Sequence, residues 1–357
     1  MKLQIRFIPF VALALLALLS ALWAGLIRIG WALPSFPTLS IAHGPLMVSG
    51  FLGVLIPLER AVAIRQPWMF AVPAIAGLGW IVLLFIPFLG GLLLTLASVG
   101  TLFILGVMVR RETHLHTITM FAGILAWVTG NILWLFGLPI FQIVYLWIAF
   151  LVLTIGGERL ELSRVLRPTS RQLLVFGVIA VALAAGAVLS LFDLSYGTRL
   201  SGLSMLALSL WFLKNDLAAR TIRHPNPLTR YIAFCLFSGF IWLGISGVLQ
   251  LYFGALYAAP YYDAALHAVF VGFVISMIFG HAPIIFPAIL GTPITYHRAF
   301  YIHLILLHVS LIIRLLGDLT NQFDIRRWGG FLNEAAILLF LGITLCSIVK
   351  TRNQVIK

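Results

Sequence analysis

The chain has 357 residues, of which 62% are hydrophobic and only 9% are charged. That balance excludes the soluble globular classes and is typical of polytopic helical membrane proteins. The formal net charge of +13 would suit nucleic-acid binding if it lay on one soluble face. The basic residues instead lie in short loops without interleaved aromatics, so no nucleic-acid partner is predicted.

Apolar runs of membrane-spanning length follow one another along the whole chain, which predicts an all-α membrane bundle of twelve transmembrane helices. The runs lie near residues 8–28, 41–58, 69–88, 91–109, 117–137, 139–157, 172–192, 198–213, 230–254, 264–289, 299–316 and 329–349. The connections are short, so residues 1–357 are expected to form a single transmembrane domain. No small-residue cleavage site follows the first run, which is interpreted as a retained helix.

The orientation follows from the basic residues. If the N-terminus is cytoplasmic, 18 of the 23 Lys and Arg residues lie on the cytoplasmic side. Only Arg28, Arg199, Arg326 and Arg327 lie on the other side, with Arg314 just inside the membrane. The positive-inside rule therefore predicts that both termini are cytoplasmic. We expect a multi-pass protein of the cell inner membrane, surrounded by membrane lipid.

The tenth run carries two imidazoles, His267 and His281, which are 14 residues apart. In a regular helix both would point to nearly the same side, about 21 Å apart along the axis. Gly272, Ser276 and Gly280 repeat every four residues on the opposite side, where a neighbouring helix can come close. An ionisable residue inside a membrane is a functional hypothesis by default. We therefore interpret these histidines as metal or haem ligands rather than as rings bonded only to nearby carbonyls.

The predicted depths group the histidines into two sets. His43 and His267 lie near the outer surface, whereas His281, His303 and His308 lie deeper. Two imidazoles at one depth on different helices meet the requirement for axial ligation of one haem. Copper also accepts imidazole ligands, so it is a second candidate for the deeper set. His303 and His308 are about 140° apart on their helix, so they cannot both point at one centre without distortion.

Other residues near these histidines are candidate cofactor contacts. Met47 and Gly50 share one side of the second helix with His43, and Gly50 would leave a flat surface for a macrocycle. The alternative is that Gly50 serves helix contact.

Arg314 is a further candidate with two interpretations. It either pairs with Asp318 one turn away or faces haem propionates as a bidentate donor. Asp263 or Glu334 is in a position to orient an imidazole. No catalytic residue is predicted.

Two segments resemble helices of the NnrS family of membrane proteins. The first is HGPLMVSGF, from His43 to Phe51; the second contains Ala265-Leu266-His267, Val271-Gly272 and Met277-Ile278. The resemblance implies a haem- and copper-associated protein linked to nitric oxide tolerance and distantly like haem-copper oxidases. It implies that His43 and His267 are the ligands. Pro45 and Leu46 depart from the family, which commonly has a second His and a Glu there. The copper-binding His pair and the His-x-His of the oxidases are missing, which argues against dioxygen reduction.

Three functions remain open from the sequence. The first is a haem-binding redox protein that binds, senses or turns over a small diatomic gas such as nitric oxide, served by an electron donor. The second is a secondary transporter or channel, in which Pro283 and Pro287 would interrupt the tenth helix. The third is an assembly partner of a respiratory complex.

Overall fold

The structure, a computed structural model, describes residues 4–255, 257–258, 260–291 and 294–356. All regular structure in these ranges is helical. The long helices are α1 Ile8–Arg28, α2 His43–Ile64, α3 Pro67–Leu83, α4 Pro87–Arg111, α5 Leu115–Leu135, α6 Ile140–Leu162, α7 Ser170–Leu189, α8 Leu194–Asn215, α9 Pro227–Phe253, α10 at residues 260–290, α11 Phe300–Leu319 and α12 Phe323–Ile356. A short helix, Leu217–Thr221, lies between α8 and α9.

Ten of the described helices are long and apolar enough to cross a membrane, which confirms the all-α, multi-pass class. A helix also occupies each of the remaining two predicted segments, the third and the eighth. Helix α3 is shorter than a full span, and α8 carries serines, glycines and Arg199 that lower its apolar character. The prediction of twelve spans therefore stays a prediction.

The chain divides into two compact units, Gln4–Thr154 and the part that starts at Ile155. In the first unit, α1 packs on α2, and α3, α4 and α5 pack in sequence. In the second unit, α8 packs between α7 and α9, α10 packs on α9, and α11 pairs with α12. Each unit has its own buried aromatic side chains, including Trp127 in the first and Phe240 in the second.

Local sequence signals set several helix ends. Thr169 and Gln172 form a capping box at the start of α7. Asn226 Oδ1 accepts hydrogen bonds from the backbone N–H groups of Leu228 and Thr229, and Pro227 is the first residue of α9. Helix α10 ends at Gly291, whose φ of 70° is left-handed.

The two prolines inside α10 do not interrupt the helix. The helix continues through Pro283 and Pro287, so the predicted interruption at those residues is wrong. The irregularity lies earlier, in a π-helical segment, Ala268–Ile275. A second π-helical segment, Leu46–Leu52, lies in α2.

Candidate functional site

His43 is the first residue of α2 and is held by a main-chain contact. Its Nδ1 lies 2.8 Å from the carbonyl oxygen of Ala21 on α1. Since a carbonyl only accepts, Nδ1 carries the ring proton and Nε2 carries the lone pair. The ring is half-buried, and the π-helical segment of α2 begins three residues later. A histidine fixed in this way has the tautomer that metal ligation through Nε2 requires.

Gly50 does not provide a flat surface for a macrocycle. A Cβ at Gly50 would lie 3.2 Å from the Cβ of Trp80 and 3.5 Å from that of Ala17. The glycine therefore lets α1 and α3 approach α2, and the helix-contact interpretation holds. Met47 is half-buried on the same helix, and its predicted cofactor contact stays a prediction.

A buried polar network surrounds the π-helical segment of α2. The Ser49 hydroxyl accepts a hydrogen bond from Trp127 Nε1 at 3.0 Å and donates to Asn131 Oδ1 at 3.2 Å. Trp147 Nε1 donates to the same amide oxygen at 3.1 Å. All four side chains are at most 1% exposed. No periodic signal in the sequence links these four residues, which lie on three helices.

His267 lies directly before the π-helical segment of α10 and is also held through Nδ1. That nitrogen is 2.9 Å from the carbonyl oxygen of Asp263, one turn back, and 3.3 Å from its carboxylate Oδ1. The predicted orienting role of Asp263 therefore has a matching contact. His43 belongs to the first unit and His267 to the second, and their pairing around one haem stays a prediction.

Arg314 pairs with Asp263 rather than with Asp318. Its Nε donates to Oδ2 at 2.8 Å and its Nη2 to Oδ1 at 3.0 Å, a bidentate contact between α11 and α10. Two of its donors are thus used by a carboxylate. Asp318 instead has Arg326 Nε at 3.7 Å from its Oδ1.

The small residues of α10 pack against α9 as predicted. A Cβ at Gly272 would meet the Trp242 side chain at 2.5 Å, and one at Gly280 would meet the Cβ of Cys235 at 3.2 Å. Gly239 of α9 lies against Ser276 in the same way. The same-side placement of His267 and His281 assumed a regular helix, and the intervening π-helical segment departs from that geometry.

The three deeper histidines make different contacts. His281 Nδ1 donates to the carbonyl oxygen of Met277 at 2.7 Å, and its buried Nε2 has no partner among the residues described. His303 Nε2 lies 2.9 Å from the Tyr231 hydroxyl. Trp242 Nε1 donates to His308 Nδ1 at 3.0 Å, so in the neutral ring the proton is on Nε2. This arrangement fits metal ligation by His281 and does not fit it by His308.

Within the described ranges, no group of three or more His, Cys, Asp or Glu side chains can hold a metal ion. A copper centre built from three imidazoles is therefore not found there. One or two imidazoles are enough for axial ligation of haem, so this finding bears on the copper hypothesis rather than on haem.

Sequence reasoning missed a buried ion pair in the second unit. Arg159 donates to both oxygens of Asp216, from Nη2 at 2.7 Å and from Nε at 3.0 Å. The side chains are 4% and 0% exposed. Ser163 and the backbone N–H of Ala218 also donate to this carboxylate. Arg159 is one of the 18 basic residues assigned to the cytoplasmic side, and no local signal distinguishes it from the other 17.

These features define a multi-pass helical membrane protein with ionisable and hydrogen-bonding side chains inside its spans. The sequence matches the family described as domain of unknown function (DUF8744) over residues 6–349. The chain belongs to that family. No curated protein matches it.

Proposed function

We propose that this protein is a haem-binding integral membrane protein that binds, senses or turns over a small diatomic gas such as nitric oxide. Each of His43 and His267 is a proposed haem ligand in its own unit, with copper as a further candidate metal. Nitric oxide is proposed as the gas because the helices that carry these histidines resemble helices of the NnrS family.

One repeated arrangement carries the proposal. In each unit, a half-buried histidine lies at or just before a π-helical segment and donates Nδ1–H to a main-chain carbonyl. π-helical segments inside α-helices are frequent at functional sites. Metal-bound histidines typically donate the other ring N–H to a carbonyl or carboxylate, which fixes the ring and raises its basicity. Both features occur together at His43 and His267, the two histidines that the resemblance assigns as ligands.

The residues around each imidazole have distinct tasks in this proposal. Ala21 and Asp263 fix the tautomers of His43 and His267, so that each Nε2 can donate its lone pair. Asp263, held by Arg314, adds negative charge beside His267 and strengthens it as a ligand. Haem held by only one of these histidines keeps an open coordination position and would bind the gas, whereas haem held by two histidines would only carry electrons.

The proposal includes a topology. We infer twelve spans, in which α3 and α8 also cross the membrane. We further infer that both termini are cytoplasmic and that the protein lies in the cell inner membrane. Single cysteines introduced at residues 167–169 and 320–322 should react with an impermeant thiol reagent from opposite sides. Reaction of both from the same side would refute this topology.

An optical spectrum of the purified protein tests the haem proposal. We expect a Soret band that shifts when nitric oxide is added and that weakens in His43→Ala and in His267→Ala. His297→Ala is the matched control, since this exposed ring should leave the band unchanged. A colourless protein that cannot be reconstituted with haem would refute the proposal.

Transport is the second candidate function, because the second unit holds an ion pair inside its spans. Asp263 and Arg314 meet between α10 and α11, and such intramembrane charges often mark solute or ion pathways. Solute or ion flux into proteoliposomes by haem-free protein, lost in Arg314→Gln, would favour this function over the first.

A further inference from the structure

Asp318 is a buried carboxyl group without the contacts that an ionised carboxylate needs. Its side chain is 0% exposed. Neither oxygen accepts a hydrogen bond from any residue that the structure describes. The nearest cationic nitrogen recorded for it is Arg326 Nε, at 3.7 Å from Oδ1, which is beyond hydrogen-bonding distance. An isolated ionised carboxylate in an apolar interior usually becomes neutral by taking up a proton.

The backbones of α11 and α12 pack closely beside Asp318. Gly317 and Gly329 lie where α11 and α12 touch, and a Cβ at either would collide with the backbone of the other helix, at Arg326 and Arg314 respectively. The turn between the helices is tight, since the N–H of Gln322 bonds to the carbonyl of Gly317 at 2.7 Å. The two helices thus close over Asp318 on this side.

The neighbouring charged groups favour a proton over a second ion pair. Arg314 is already bidentate with Asp263, and His267 contacts the same carboxylate. Glu334 of α12 lies within electrostatic range of Arg314, so it competes for that positive charge. Arg326 stacks over the Phe323 ring at 5.3 Å from its centroid.

Arg314 lies one helical turn before Asp318 on α11, but it holds both oxygens of Asp263. Its positive charge is therefore engaged by another carboxylate, and a proton is left as the neutralising partner of Asp318.

We propose that Asp318 is a proton-binding site that is occupied at neutral pH. The step is a simple protonation, in which one aqueous proton adds to one carboxylate oxygen and is released again at alkaline pH. The site lies where the ends of α10, α11 and α12 meet, near one membrane face. It does not require haem, and it holds for either function proposed above.

Infrared spectroscopy tests the proposal. The protein is produced with ¹³C-labelled aspartate and measured in detergent. At neutral pH we expect the C=O stretching band of a protonated carboxyl group. This band should shift in the labelled protein, which assigns it to an aspartate such as Asp318 and not to Glu334. The band should disappear in Asp318→Asn and persist in Asp324→Asn, whose carboxylate is exposed on the same pair of helices.

Further measurements decide the remaining cases. In Asp318→Glu, which keeps the carboxyl group, the protonated band should remain but lose its aspartate label. If neither variant folds, the labelled wild-type spectrum decides. The proposal is overturned by a wild-type spectrum without a labelled protonated carboxyl band, or by a band that survives in Asp318→Asn. Loss of the band when Na⁺ replaces choline would also overturn it, because a metal cation would then be the ligand.

Discussion

Asp216→Asn tests whether the ion pair with Arg159 is as desolvated as the structure indicates. The substitution removes the negative charge but keeps an oxygen that can accept the Ala218 N–H, so the helix cap survives. It leaves the Arg159 guanidinium, at 4% exposure, without a counter-charge. Breaking a buried pair in this way costs about 3–5 kcal/mol of unfolding free energy. At about 1.4 kcal/mol per tenfold change, the unfolding equilibrium shifts by roughly a hundredfold to several thousandfold.

Denaturant titration in detergent, followed by tryptophan fluorescence, measures this shift, and the 10 tryptophans of the chain provide the signal. Arg159→Met combined with Asp216→Asn should recover most of the loss, because no unpaired charge remains buried. Arg171→Met is the control for an exposed arginine, expected within about 0.5 kcal/mol of wild type. If Asp216→Asn cost no more than this control, the pair would be solvated and the reasoning would fail.

Two further substitutions test helix packing and the polar network. Gly272→Ala should lower the unfolding free energy by about 1–3 kcal/mol, because the added methyl group overpacks against Trp242. Gly106→Ala is the control and should be neutral or stabilising, because its Cβ would lie 3.8 Å from the nearest neighbour. Equal effects of the two substitutions in the same denaturant titration would contradict the packing. Asn131→Leu should cost about 1–3 kcal/mol for each buried donor left without its acceptor. A loss below about 0.5 kcal/mol would show that the donors find other partners.

The helical class and one packing face were predictable because both depend on local pattern. Apolar runs of about 20 residues leave few alternatives to membrane helices. The four-residue spacing of Gly272, Ser276 and Gly280 fixes a face that any neighbouring helix can approach, and α9 does so. The number of spans did not follow from the same pattern, since α3 is short and α8 carries polar residues among its apolar ones.

The contacts that decide the chemistry were not predictable, because they join residues far apart in the chain. Arg159 finds Asp216 57 positions later, and Arg314 finds Asp263 51 positions earlier. The tautomer of His308 depends on a donor from α9, Trp242. Periodicity reports which side of a helix is apolar, but it does not report which distant side chain meets that side.

The π-helical segment in α10 changes how side-chain directions in that helix depend on chain length. Each residue of a regular helix turns the chain by about 100°, and a π-turn accommodates a residue that a regular helix would not. Deleting one residue between Ala268 and Ile275 would therefore let the helix close regularly and would leave the angle between His267 and His281 nearly unchanged. Deleting one residue between Ser276 and Gly280, where the helix is regular, would instead turn His281 by about 100° relative to His267. The π-helical segment is thus the place in this helix where a change of one residue in chain length leaves the side-chain directions on both sides intact.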